Sequence, residues 1–396
     1  MPLKNMIVAG IMSGTSADGI DVALVRIGRQ RGQEALGVGH FQIKLLRHVA
    51  IPYSASLRRA VLRAMDAEPT TTAELARLNW RLGIAYAEAV QAALEAHPCR
   101  LQLIGCHGQT IYHQGIPAAY AGRKIACTWQ IGEMAALAAA TRVSVVSNFR
   151  PADMVAGGQG APLVPLLDFV YFRHAVRGRV LQNIGGIGNF TAIPPGAALK
   201  DVRAMDTGPG NMIIDAAMQK LFNKPYDRGG RVASRGHVLV PVLNEALRHP
   251  FFRKQPPRSA GREQFGAAFS AQFLASCART SPAPEDAVAT ATALTAHSIA
   301  DAYTRFVRPS MKQGPVDYFL SGGGARNATL TGMLSALLTP LGCEIRSTGD
   351  AGMPAQAKEA VAFALLAYQT MHELPGNVPS ATGASRAAIL GQITYA

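Results

Sequence analysis

Apolar residues in the first fifty positions recur in short extended runs. Residues 6–12 are almost continuously apolar, Ile20, Val22, Leu24 and Ile27 alternate loosely, and 41–51 forms a third run. Each predicts a strand. The apolar spacing then turns helical over about 54–66 and 73–96. Residues 101–106 predict a buried strand, 131–141 a helix and 143–149 another strand. A Gly- and Pro-rich stretch, 150–165, predicts a turn-rich bridge. Beyond it the theme restarts, with strands at 180–184 and 189–193 and helices over 210–222, 265–279 and 283–307. A strand at 317–320 runs into three glycines, a helix starts near Asn327, and a last one spans about 357–372. A strand, a glycine turn and a second strand with helices behind them therefore occur twice. This predicts two similar α/β halves with a cleft between them for a ligand.

Length and composition agree with that reading. The 396 residues suffice for two domains. With 48% hydrophobic and 16% charged residues, the chain is not intrinsically disordered. No stretch of about 18 uncharged apolar residues occurs, which excludes a membrane-spanning helix. Lys4 precedes the first apolar run, but that run is short and flows into a polar turn without a cleavage site. It predicts a buried strand in a cytoplasmic protein rather than a signal peptide. Five cysteines without a close pair argue against a disulfide framework or zinc ribbon. The net charge is +14, and 224–263 alone holds nine basic and three acidic residues. These cations are not interleaved with regularly spaced aromatics, so they predict a charged surface or attraction of an anionic ligand, not a nucleic-acid partner.

Four glycine-rich turns carry the candidate chemistry. In GIMSGTSADGID (10–21), Gly14 and Gly19 permit close backbone approach, and Ser13, Thr15 and Ser16 place hydroxyls beside amides. Such a turn can cradle phosphate oxygens, and Asp18 or Asp21 can hold Mg²⁺ beside them. The alternative is a polar hairpin with Asp as turn former. NIGGIGNFT (183–191) reads equally as a tight hairpin or a phosphate contact. In DTGPGN (206–211), Asp206 follows a short apolar stretch and precedes a helix; it reads as a strand-end general base or as a helix cap. SGGGARN (321–327) offers a flat glycine surface for a ring, or a helix entry capped by Asn327. Elsewhere, Thr110 and Gln109 in CHGQTIYH can hydrogen-bond a polar substrate, and the two histidines of that run, six apart, lack helical zinc spacing. Arg150, which shares the bridge with Asp153, can grip a carboxylate bidentately or form a domain-anchoring salt bridge.

In their order, GIMSGTSADGID, CHGQT, NFR…D…GGQGAPLVP, NIGGIGN, DTGPGN, SGGGARN and LPGNVPSATGA resemble the motifs of anhydro-N-acetylmuramic acid kinases, over nearly the whole chain. The resemblance implies two ribonuclease H-like α/β domains of the acetate and sugar kinase, heat-shock chaperone and actin superfamily, with an interdomain cleft. Their expected extents are 1–153, completed by 373–396, and a nucleotide-binding 154–372. It implies an ATP-dependent kinase that hydrolytically opens 1,6-anhydro-N-acetylmuramic acid and phosphorylates O6, with Mg²⁺ as cofactor and a role in cell-wall recycling. Asp206 becomes the base. Ser13, Gly14, Thr15, Ser16, Ala17, Asp18, Gly19 and Ile20, with Gly185, Gly186, Gly322, Gly323, Gly324 and Asn327, become nucleotide contacts, Asp18 also serving the metal. Thr110, Arg150 and Glu359 become sugar contacts. The family resemblance suggests a homodimer, and no membrane partner is expected. The alternatives are a related sugar kinase on an open hydroxyl and a non-enzymatic nucleotide switch. Two positions depart from the family pattern: Asn148 stands where it usually has Asp, and Gly229 interrupts its usual DRDG.

Overall fold

The computed structural model describes residues 5–14, 16–29, 41–66, 68–256, 258–312 and 314–396. They form two compact units, Met1–Tyr171 with Gln356–Ala396, and Phe172–Ala355. The chain opens with strands β1 (Met6–Ser13), β2 (Gly19–Arg29) and β3 (Phe41–Pro52), followed by helices α1 (Ala55–Met65) and α2 (Thr72–Ala96). A hairpin of β4 (Leu103–Tyr120) and β5 (Arg123–Ile131), helix α3 (Met134–Thr141), strand β6 (Val145–Ser147) and helices α4 (Arg150–Val155) and α5 (Pro165–Phe172) complete this part.

The second unit repeats the plan. Strands β7 (Gly178–Ile184), β8 (Ile187–Ile193) and β9 (Arg203–Pro209) precede helices α6 (Met212–Phe222), α7 (Val240–Ala246), α8 (Arg262–Phe265), α9 (Ala267–Thr280) and α10 (Pro284–Phe306). Strand β10 (Val316–Ser321), helix α11 (Ala328–Leu338) and strand β11 (Cys343–Ser347) close it. The chain then returns to the first unit with α12 (Lys358–Met371), α13 (Pro379–Thr382) and β12 (Gln392–Thr394).

Sheet topology makes the duplication explicit. In the first sheet the order is β12-β6-β4-β1-β2-β3, with β5 paired to β4; in the second it is β11-β10-β7-β8-β9. Each begins as an antiparallel meander of three strands. Each then adds two strands parallel to the first, β4 and β6 in one, β10 and β11 in the other. Parallel strands need a crossover to cover them, and the helices between meander and parallel strands meet that need. Among the described residues no helix is long and apolar enough to cross a membrane.

Helix α12 is apolar around nearly its whole circumference, as a helix buried on all sides must be. It belongs to the first unit, where the sequence analysis had ended the second domain at 372. Its own pattern could not show which sheet it covers; the answer lies in Gly10 of β1 and Gly105 of β4. A methyl at Gly10 would overlap Ala360 O and press on Ala364 N; one at Gly105 would overlap Phe363 O. The helix therefore seats backbone against backbone on those strands. Gly10→Ala is expected to cost about 3 kcal/mol, because no side-chain rotamer can relieve the overlap. A melting temperature within a degree of wild type would show that the helix docks differently.

Candidate functional site

The candidate residues fall into two groups, described unit by unit. In the first, the turn between β1 and β2 begins at buried Ser13. Its hydroxyl lies 2.6 Å from Tyr53 Oη and donates to Gln109 Oε1 at 2.5 Å, while Gln109 Nε2 donates to Gly14 O at 3.2 Å. Burial pushes the Tyr53 phenol up to about 12, so it remains a neutral donor. The Ser13 hydroxyl, expected beside the nucleotide, is thus engaged by protein partners that hold the turn in shape. Ala17 and Ile20 are likewise core residues, and Gly19 packs its backbone against Ile51. What remains outward is half-buried Gly14, with exposed Ser16 and Asp18, joined by a hydrogen bond of 2.8 Å from Ser16 Oγ to Asp18 Oδ1. Thr15 lies outside the described residues. Asp21 pairs with His48 Nε2 at 2.8 Å instead.

Arg150 opens α4, a short helix inside the stretch the sequence analysis took for a turn-rich bridge; Pro151 suits its first turn. Arg150 Nη1 donates to Gly160 O at 2.7 Å and Nε to His107 Nε2 at 3.0 Å. His107 Nδ1 lies 2.8 Å from Gly108 O, a pure acceptor, so Nδ1 carries the proton and Nε2 is free to accept. Burial, reinforced by Arg150, holds this imidazole well below its usual range, hence neutral. Burial also pulls the Arg150 guanidinium down to about 10, with Glu359 and Asp153 opposing. Among the described residues no carboxylate pairs directly with Arg150.

Asp153 has a different task. Fully buried, it accepts from Gly160 N at 2.8 Å, Asn377 Nδ2 at 2.8 Å and Thr382 Oγ1 at 2.7 Å. It ties the GGQG loop to the NVPSATG segment, so two of the motifs read from sequence are one structural knot. Thr110 Oγ1 accepts from Gln130 Nε2 across the β4–β5 pair at 3.2 Å. Glu359 sits in the first turn of α12, exposed yet crowded by protein. That crowding raises its carboxyl, against the pull of Lys358 and Arg150. Lys358 itself is buried on Asp168 at 2.7 Å, which fixes the start of the helix.

In the second unit three of the glycine turns converge. Gly186 O accepts the N–H groups of Gly210 (2.8 Å) and Met212 (3.1 Å), and Gly185 O accepts that of Asn211 (2.7 Å). Asn211 Nδ2 donates to Ile184 O, and the ends of its amide lie beside Gly323 and Gly324. Any side chain at Gly210 would strike Gly185 O. At Gly322, with φ 82°, a side chain would strike Asn183 and Ile184 O. Asn327 caps α11, its Oδ1 accepting from Leu330 N at 3.0 Å.

Asp206 lies in the middle of β9 opposite Asn189, not at a strand end, because the strand continues through Thr207 and Gly208 to Pro209. Ala260 N donates to its Oδ2 at 2.7 Å; among the described residues no donor reaches Oδ1. Burial pushes this carboxyl up to about 6, with the Ala260 hydrogen bond and Arg258 opposing and Glu263 adding. A carboxylate with that affinity for protons has the chemistry a general base needs near neutrality.

Both departures from the expected motif pattern sit in the left-handed region. Asn148, at φ 56°, donates from Nδ2 to Gln392 Oε1, and asparagine tolerates that conformation. Gly229, at φ 68°, has open space around it. The neighbouring Asp227 keeps its role, accepting from Val232 N and Ala233 N at 2.9 Å each.

The family model described as anhydro-N-acetylmuramic acid kinase matches residues 6–396. The chain belongs to the anhydro-N-acetylmuramic acid kinase family. Curated anhydro-N-acetylmuramic acid kinases of Bacillus cereus strains AH187 and Q1 are each 45% identical over 393 residues, covering 98% of this chain and 99% of theirs. Among solved structures, the activator of the 2-hydroxyisocaproyl-CoA dehydratase from Clostridium difficile with bound ADPNP matches with a TM-score of 0.41. It is 11% identical and covers 93% of this chain and 96% of its own. As a member of the anhydro-N-acetylmuramic acid kinase family the protein is a sugar kinase, a phosphotransferase with an alcohol acceptor. Sequence reasoning had found the family's motifs but not the partners that hold them. Gln109, expected as a substrate contact, hydrogen-bonds Ser13 and Gly14; the parts played by His107, Tyr53 and the 258–260 segment behind Asp206 emerge only from the fold.

Proposed function

We propose that this kinase opens 1,6-anhydro-N-acetylmuramic acid with water and phosphorylates O6 from ATP, giving N-acetylmuramic acid 6-phosphate and ADP. The observation that carries the reading is Asp206. It is shielded, raised to about 6, fixed through Oδ2 and able to take a proton on Oδ1. In the reaction a water attacks the anomeric carbon and yields its proton to Asp206. The bond from that carbon to O6 breaks, and O6 takes the γ-phosphoryl group as ADP leaves. Attack by a carboxylate-activated water on an anomeric carbon follows the logic of inverting glycoside hydrolysis.

The remaining roles are those the family resemblance implies. Gly14, Ser16 and Asp18, with the glycine turns at 185–186 and 322–324, are assigned to the nucleotide; Thr110, Arg150 and Glu359 to the sugar. Asp18 is the carboxylate that would hold a Mg²⁺ accompanying the nucleotide. When bound, Mg²⁺ supplies charge stabilisation at the phosphates. The setting we assign is the cytoplasm, where cell-wall sugars are recycled.

Running the reaction in ¹⁸O-labelled water tests the assignment. One heavy oxygen at the anomeric carbon of the sugar phosphate is expected. An unlabelled product, or turnover only with an already open sugar, would replace coupled hydrolysis by ordinary hydroxyl phosphorylation.

A further inference from the structure

The basic stretch 224–263 is left unassigned by the motifs, yet it holds the group nearest the back of Asp206. Arg258 is 4% exposed. Its guanidinium lies between two rings, 4.9 Å from the centroid of Phe251 and 5.0 Å from that of Phe306. Nε donates to Asp206 O at 3.0 Å, and Arg258 O accepts Asp206 N–H at 3.2 Å. Nη1 reaches the Phe252 and Lys254 carbonyls at 3.4 Å, whereas Nη2 is buried without a hydrogen-bond partner. Two residues on, Ala260 N donates to Asp206 Oδ2. One short segment thus grips the backbone of Asp206 on both polar atoms and its carboxylate on one.

We infer that Arg258 is a positioning residue for Asp206, fixing the aim of its carboxylate and supplying the positive charge that keeps it ionised. The inference rests on the reading of Asp206 as base. A buried cation is costly unless something uses it. Here two π faces and three carbonyls hold it in place, while a partner carboxylate in direct contact is absent among the described residues. Burial pulls its guanidinium down to about 10, so it stays charged at neutral pH. The charges around the pair are few. Glu263 acts on Asp206; Arg305 and Asp301 of α10 act on Arg258; Arg253 and Lys254 lie on the preceding turn; β8 carries no titratable side chain. Against the desolvation and Glu263 that favour the protonated acid, Arg258 is the cation that opposes.

The test is the pH dependence of kcat with ATP and the anhydro sugar for the full chain, in wild type, Arg258→Met, Arg258→Lys and Asp206→Asn. Arg258→Met keeps bulk and ring packing but removes charge and donors. It is expected to move the acid limb upward by about 0.5–1 pH unit. The plateau kcat should fall at least tenfold, with the sugar KM within about twofold. Arg258→Lys should leave the limb near its wild-type position while lowering kcat, because the charge stays and the Nε–H bond to Asp206 O goes. A profile for Arg258→Met that superimposes on wild type, or a changed KM with unchanged kcat, would reduce Arg258 to packing. If that variant fails to fold, Arg258→Lys decides: an unaltered kcat overturns the inference. Should Asp206→Asn retain wild-type turnover, the base assignment itself fails. An inactive Asp206→Asn beside an unshifted Arg258→Met overturns only the role of Arg258.

Discussion

Replacing Asp206 with asparagine is expected to abolish turnover and, at neutral pH, to stabilise the fold. Loss of a general base lowers kcat by about 10²–10⁴, while nucleotide binding should hold, because Asn still accepts from Ala260 N. The stability effect has the opposite sign. The carboxyl is raised from 3.8 to about 6 by burial, so the folded protein disfavours its ionised form. At about 1.4 kcal/mol per pH unit, ionised Asp206 costs up to about 3 kcal/mol. That penalty is present above pH 6, fades as the pH falls through 6 toward 3.8, and is absent below. The asparagine variant should therefore melt higher than wild type at pH 7.5 and lose that advantage near pH 4. Equal melting temperatures at pH 7.5 would mean that Asp206 is not strained by its burial. The same titration predicts that wild-type kcat falls on the acid side of about pH 6, as protonation removes the base.

How far such a site can be read from sequence depends on which interactions are local. The two halves were legible because β1, β2, β7 and β8 are short apolar runs broken by glycine turns, and because α10 and α12 are long apolar helices. The β4–β5 hairpin was not. Its outer part is exposed on both faces, interrupted by Gly115 and Pro117, and shifts register between Gln114 and Ala118, so no alternation survives. Strand β9 was read as ending at Asp206 since its apolar run stops there; the small residues that continue it are buried without being hydrophobic. The turns could be singled out by their glycines, but their meeting point could not. The bonds from Gly185 and Gly186 to 210–212 join segments two dozen residues apart. Thr295, in the middle of α10, reaches the same turn through Gly210 O at 2.7 Å. Ser13 shows the converse. Its hydroxyl looked available beside the glycines, yet Tyr53 and Gln109, 40 and 96 residues away, had already claimed it.

Arg150→Ala is expected to raise the sugar KM by about a hundredfold and leave nucleotide affinity within a factor of two. Arg150 is held at Nε by the neutral ring of His107 and at Nη1 by Gly160 O, so its orientation is set before substrate arrives. Neither partner is an anion, and Asp153, the nearby candidate, gives its oxygens to Gly160, Asn377 and Thr382 instead. The cation keeps a charge that no direct ion pair answers among the described residues. A muramic sugar carries a lactyl carboxylate, and a charge-assisted bond to it from a preset guanidinium is worth about 1.5–3 kcal/mol. Removing it should appear chiefly in sugar binding, because the carboxylate lies away from the reacting carbon and is bound alike before and during the reaction. Arg150→Lys should recover little, since a lysine keeps the charge but cannot hold His107 and Gly160 while offering a planar face. Isothermal titration separates the ligands. A parallel loss of ATP affinity in Arg150→Ala would mean that the residue supports the fold of its unit, and the carboxylate would have to be recognised elsewhere.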